Sequence, residues 1–214
     1  DVALELGKIA EGGSVPDLTI VRKTYEKISE LVDSKFQNEC KTMINDYLEK
    51  VETELEKVVK NKEFADETRS KILAFSGEII MSQMMEYVLK SHNIKSQFIG
   101  LEDWPIITDN NIESTNFLVN ESSKNIEHVE KMLEKNDVIS IGGFIGRTKD
   151  GIMTTYERGG SDRTAADLGI LLHKKFDVKI DLEKDGLVVS ADPKIVSDGL
   201  TEVSSLSYNE ARLA

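Results

Sequence analysis

The 214-residue sequence predicts an α/β fold: a three-layer α/β/α sandwich around a mainly parallel sheet, with a helical lobe attached. Three observations lead there. Short apolar runs, Gln97-Phe98-Ile99, Ile106-Ile107-Thr108 and Val138-Ile139-Ser140-Ile141, alternate with segments of helical period, the pattern of strands covered by helices. The run at Val138 lacks polar–apolar alternation and stops at Gly142-Gly143, as a strand buried on both faces would. The segment from Asp17 to about Lys62 carries helical period alone, so it is set apart as a lobe of two antiparallel helices beside the sheet.

Taken in order, Asp1 to Ala10 reads as a helix closed by Gly12-Gly13-Ser14. In the lobe, Val21, Tyr25, Ile28, Val32 and Phe36 form one apolar series, and Ile44, Leu48, Val51, Leu55 and Val58 a second. Glu49, Lys50, Glu54 and Lys57 lie between them as a wet face. Asp66 is placed to cap a third helix running through Ile72, Ile79, Met84 and Val88, with Met81, Met84 and Met85 as core filler. A helix around Ile126, Val129 and Leu133 precedes the Val138 strand. Asp150-Gly151 then turns a hairpin between Gly143-Phe144-Ile145 and Ile152-Met153-Thr154. After Arg158-Gly159-Gly160 a helix runs from Ser161 to about Lys174, followed by strands at Val178 to Ile180 and Leu187 to Val189. Ser207-Tyr208-Asn209-Glu210 is a capping box for a last helix.

Composition narrows the function. The formal net charge is -12, which argues against broad binding to nucleic acid or to an anionic membrane surface. No stretch approaches the ~20 apolar residues of a membrane span, and the N-terminus lacks signal-peptide features. The single cysteine, Cys40, reads as a packing residue, and a cytoplasmic location is the expectation. His92, His128 and His173 fall outside every motif.

The chemistry concentrates in Gly143-Phe144-Ile145-Gly146 through Arg158-Gly159-Gly160-Ser161-Asp162-Arg163-Thr164-Ala165-Ala166. Two glycines let the backbone approach a ligand, and Ser161 suits the N-cap of a helix whose free N–H groups favour an anion. Arg158 offers a fork for a carboxylate, and Asp162 offers one negative charge for an ammonium. An α-amino acid presents both groups side by side. By itself the segment also reads as an exposed turn with a capped helix.

This stretch resembles the signature of the aspartate kinases. The resemblance extends through Phe75-Ser76-Gly77-Glu78 with Ser82, Ile107-Thr108-Asp109, Ala191-Asp192-Pro193-Lys194-Ile195-Val196, and Leu206-Ser207-Tyr208-Asn209-Glu210-Ala211, in order along nearly the whole chain. It implies an amino-acid-kinase-like catalytic domain over 1–214, incomplete at both ends, with the lobe at about 17–62. The implied activity is ATP-dependent phosphorylation of the L-aspartate β-carboxylate, the first step toward lysine, threonine and methionine. It implies that Glu78 binds the substrate ammonium and that Arg158 holds the α-carboxylate. Gly159, Gly160, Ser161 and Asp162 would line the same pocket, with Arg158 and Asp162 carrying catalysis. Glu183, Lys184, Val189, Ser190, Asp192 and Lys194 would sit on the ATP side. Mg²⁺ would ride on the phosphates with no protein ligand assigned, and the full-length protein would be a homo-oligomer.

Departures from the pattern set further expectations. The family's opening Lys-Phe-Gly-Gly-Thr strand and its later Phe-Gly-Ala-Lys segment have no counterpart, so the chain alone is expected to turn over poorly. Tyr156-Glu157 stands where the family has Leu-Gly, and Leu182-Glu183 is an inexact match for Thr-Asp. Another amino-acid-kinase-family enzyme, or a ligand-binding fragment without turnover, are the alternatives.

Overall fold

The computed structural model describes residues 2–157 and 159–183. Asp1–Ile180 form one compact unit, and Asp181–Ala214 form a second, of which only 181–183 are described. The expected strand at Leu187 to Val189 and the capping box at Ser207 lie outside the described residues.

Helix α1 spans Val2–Glu11, α2 Thr19–Ser29 and α3 Ser34–Asn61. The apolar series expected to run unbroken to Phe36 is cut at residues 30–33. Asp33 ends the interruption as the N-cap of α3, its side chain accepting from the Lys35 N–H at 3.0 Å. Along α3 the buried positions Cys40, Ile44, Leu48, Val51, Leu55 and Val58 recur at helical spacing. Glu54, expected on the wet face, is buried and held by Lys57 at 2.6 Å. Lys62 closes α3 in the left-handed conformation at φ 53°.

Helix α4 (Asp66–Leu73) and helix α5 (Ile79–Ser91) form one rod joined by a π-helical turn, Ala74–Glu78. Ala65, in extended backbone, is the N-cap of α4, and Asp66 is its first helical residue. There Asp66 and Glu67 favour the positive end of the helix dipole rather than capping it. By length and composition this rod could cross a bilayer, which the sequence reading did not anticipate. In this fold Ile72, Ala74, Ile79, Ile80 and Met84 are buried in two apolar clusters, the role of a core helix. Met81 and Met85 are exposed, so only Met84 fills core as expected.

Strand β1 (Ser96–Phe98) pairs in parallel with β2 (Val138–Ser140), in the register Ser96↔Val138, Gln97↔Ile139 and Phe98↔Ser140. The chain between them contains α6 (Val119–Asn125) and α7 (Glu127–Leu133), two short helices where one was expected. Strand β2 is half-buried rather than sealed on both faces, because β1 is its one ladder partner among the described residues. Strands β3 (Ile145–Arg147) and β4 (Met153–Thr155) form the antiparallel hairpin, turned at Gly151 with φ 86°. Ile107 bridges β3 in parallel at Arg147. Helix α8 spans Gly160–Leu172. Residues 177–183 carry no regular structure, so the strand expected at Val178 to Ile180 is absent. No ladder partner for it lies among the described residues.

The first apolar cluster joins α1 to α5. The second lies between the strands, α7 and α8, around Trp104, whose indole N–H donates to the Ile145 carbonyl at 3.1 Å. The result is helix-rich α/β, with α5 packed on both β1 and β2.

Candidate active site

Three pieces of chain meet behind β2: the π turn, the loop Gly142-Gly143-Phe144, and the start of α8. The loop fits only because its first two residues lack side chains. A Cβ on Gly142 would stand 3.1 Å from the Glu78 carbonyl oxygen, and one on Gly143 would stand 2.7 Å from the Ser161 Cβ. The Gly143 N–H faces the Glu78 carboxylate and favours its ionised form. Phe144 sits at φ 68°, a strained value for a side chain of its size. Its surroundings hold it there. Its N–H donates to Thr164 Oγ1 at 3.0 Å, and its carbonyl accepts from the Tyr156 N–H at 2.9 Å. Thr164 Oγ1 in turn donates to the Gly160 carbonyl at 2.9 Å, tying the loop to the first turn of α8.

The N-cap of α8 is Gly159, at φ 84°, and not Ser161. A serine cap needs extended backbone, whereas the chain here enters the helix from the left-handed region that glycine tolerates. Ser161 is therefore an exposed residue of the first turn, with Asp162 beside it and Gly160 buried beneath. Of the residues expected to bind substrate, Glu78, Gly159, Gly160, Ser161 and Asp162 are described, and the loop brings Glu78 and Ser161 to its two sides. Arg158 lies outside the described residues, as do Lys184, Val189, Ser190, Asp192 and Lys194. Glu183 is exposed in the second unit.

Glu78 opens on a cavity of about 500 Å³, whose lining includes Leu6, Tyr25, Ser76, Gly77 and Phe144. Burial pushes the Glu78 carboxyl above the usual carboxylate range, partly opposed by the Gly143 N–H. The wall facing it comes from α1 and α2 and is mostly apolar, so a charged ligand there would meet Glu78 with little competing water. Burial, and then the Glu78 charge, push the Tyr25 phenol up to about 12, so it stays a neutral donor. A Cβ on Gly77 would meet nothing within 4 Å, so that glycine borders open space rather than a close neighbour.

Two features escape the sequence reading. One is the π turn that carries Glu78, for which Ser76-Gly77 is the only sequence hint: two weak helix formers inside a helical period. The other is a buried pair beneath the glycine loop: Tyr156 donates its hydroxyl to Asp167 Oδ2 at 2.7 Å. Burial raises the Asp167 carboxyl, with the Tyr156 hydroxyl and the Arg163 charge acting against it. Arg163 also lies 5.0 Å from the Tyr156 ring centre. The spacing of Tyr156 and Asp167 fits no single element, so no periodicity announces the pair.

A glycine loop after a parallel strand, opening onto a helix start and a half-buried carboxylate, defines a site for a small polar ligand on an α/β scaffold. The family model described as "Amino acid kinase family" matches residues 21–213, and the chain belongs to that family. Its relatives are aspartokinases. It is 36% identical over 122 residues to the aspartokinase of Rickettsia felis, covering 56% of this chain and 29% of that protein. It is 29% identical over 150 residues to aspartokinase 1 of Bacillus subtilis, covering 66% of this chain and 35% of that protein. The chain thus spans about a third of the length of these two relatives. The structure of E. coli aspartokinase III in complex with lysine and aspartate superposes at a TM-score of 0.75 and 21% identity. That match covers 94% of this chain and 44% of the other. The same enzyme in complex with aspartate and ADP gives 0.75 at 20% identity. These structures show the shared amino-acid-kinase fold.

Proposed function

We propose that this chain is the catalytic part of an aspartate kinase, transferring the γ-phosphoryl group of ATP to the β-carboxylate of L-aspartate. A carboxylate oxygen of aspartate attacks the γ-phosphorus, the bond to the β,γ-bridging oxygen breaks, and ADP leaves. The nucleophile is already ionised at neutral pH, so no general base is needed, and positioning with charge neutralisation supplies the acceleration. Mg²⁺ would be held by the triphosphate oxygens, the hard ligands it prefers, and would neutralise their charge. The product is the acyl phosphate that would start synthesis of lysine, threonine and methionine.

The observation that carries this reading is Glu78. Its carboxylate is half-buried at the cavity edge, beside a glycine loop that ends on the positive end of α8. A carboxylate there pairs with a substrate ammonium, while the helix start and Arg158 suit the adjoining α-carboxylate. The aspartokinase relatives support aspartate over other amino acids.

The test is acyl-phosphate formation by the full-length gene product, trapped with hydroxylamine. L-Aspartate should give hydroxamate in an ATP-dependent manner, whereas L-glutamate and N-acetyl-L-glutamate should not. Hydroxamate from either of those at the aspartate rate would assign the chain to a different activity within the family.

A further inference from the structure

We infer that Tyr25 of α2 is a positioning residue for Glu78, fixing it in the cavity by pinning the π turn from the opposite side. This rests on the reading of Glu78 as the group that binds the substrate ammonium.

The π turn decides where Glu78 points. Its bonding steps back five residues, as in the Ile79 N–H to the Ala74 carbonyl, rather than the four of an α-helix. One extra residue is thereby taken into a single turn, which resets the downstream face by about 100°, the angle per residue of an α-helix. The burial pattern fits the reset: Ala74, the first residue of the turn, and Ile79, five positions on, are both buried in the second apolar cluster. With α4 continued as regular α-helix, Glu78 would leave the loop it now packs against at Gly142.

A π turn gives up α-helical bonding and persists only where its surroundings favour it. Tyr25 supplies that support. Its hydroxyl donates to the Ser76 carbonyl, in the middle of the turn, across 51 positions of sequence. Its ring is buried in the first apolar cluster and lines the same cavity as Ser76, Gly77 and Glu78. The rest of that wall is aliphatic apart from Thr24, so the phenol is the buried donor reaching the turn from α2. Tyr25 does not need to touch substrate. It acts through Glu78.

The test uses the full-length protein with Tyr25→Phe, Glu78→Gln and the double variant, because phenylalanine keeps the buried ring and removes only the hydroxyl. Two readouts are taken: KM for L-aspartate and for ATP, and the NMR shift of the Gly143 amide, which is sensitive to the position of the Glu78 carboxylate it faces. We expect Tyr25→Phe to shift the Gly143 amide and to raise the aspartate KM about 3- to 10-fold, the scale of one hydrogen bond, without changing the ATP KM. The double variant should be no worse than Glu78→Gln alone. A Gly143 amide that moves in Glu78→Gln but not in Tyr25→Phe overturns the inference, as do losses that multiply in the double variant. If Tyr25→Phe moves the amide while Glu78→Gln leaves the aspartate KM unchanged, the positioning role stands and the ammonium-binding reading falls.

Discussion

Glu78 sits where its own charge is costly. Its carboxyl lies above the usual carboxylate range because burial removes water from the ionised form. The folded chain therefore keeps the Glu78 proton to higher pH than the unfolded chain does. Between the unfolded value, about 4.3, and the raised folded value, stability falls as pH rises, and above the folded value the whole penalty is present. Glu78→Gln should thus raise the thermal midpoint at pH 7–8 by about 1–4 °C, and the gain should fade toward pH 4. A gain that is the same at both pH values would mean that the residue is not desolvated in solution. Catalysis follows the opposite sign, since a substrate ammonium needs the ionised form. The kcat/KM for aspartate should fall in mild acid at a pH above the ordinary glutamate value, and that limb should vanish in Glu78→Gln. Tyr156 and Asp167 give a second residue-level test. Tyr156→Phe removes the hydroxyl that donates to Asp167 and leaves a buried carboxyl short of a partner, at about 1–3 kcal/mol. Denaturant unfolding measures this, and an unchanged midpoint would show that another group satisfies Asp167.

Among the elements, the glycine loop and α8 were legible in the sequence, while the turn that presents Glu78 was not. Gly142-Gly143 announced the end of the Val138 strand and Gly159-Gly160 a helix start, and both are found: β2 stops at Ser140, and Gly159, at positive φ, is the N-cap of α8. Ser161 was misplaced by one role, because capping preference assumes an extended entry to the helix and this entry is left-handed. The π turn and the break at 30–33 were illegible for a common reason. Apolar period tolerates a one-residue phase shift, and both interruptions are set by tertiary contacts: the Tyr25 hydroxyl donates to the Ser76 carbonyl at the first, and the Asp33 N–H donates to Ser91 Oγ at 2.8 Å at the second. The two glycines should respond differently to alanine. Gly143→Ala must part the loop from α8, costing about 1–3 kcal/mol of overpacking and raising the aspartate KM, since Ser161 and Glu78 flank it. Gly159→Ala meets no neighbour within 4 Å and carries only backbone strain, about 1–2 kcal/mol. Aspartate KM values for both variants, with unfolding midpoints, check this. A larger KM change at Gly159 than at Gly143 would contradict the packing account.

Over the whole molecule, alternation of apolar runs with helical period carried the α/β assignment, and ordered motifs carried the family, which the match over residues 21–213 bears out. What sequence left open is how two apolar clusters divide the labour. The helices α1 to α5 bury one, and the strands with α7 and α8 bury the other, with the α4–α5 rod shared between them. The cavity opens where that rod turns π, so its geometry depends on both clusters. A core truncation outside the cavity lining separates stability from function. Leu55→Ala, at a fully buried site of α3, should cost about 2–5 kcal/mol and leave the aspartate KM unchanged below the unfolding temperature.

The central claim is that Glu78 recognises the ammonium group of the substrate, and discrimination between L-aspartate and succinate, which lacks that group, tests it most directly. Affinities of both ligands for the full-length protein and its Glu78→Gln variant are measured by calorimetry at neutral pH. The unsubstituted protein should prefer aspartate, and Glu78→Gln should weaken aspartate by about 10- to 150-fold, the range of a charged hydrogen bond, while leaving succinate little changed. A variant that still prefers aspartate by the original margin would show that the ammonium is held elsewhere and that Glu78 does not define the pocket.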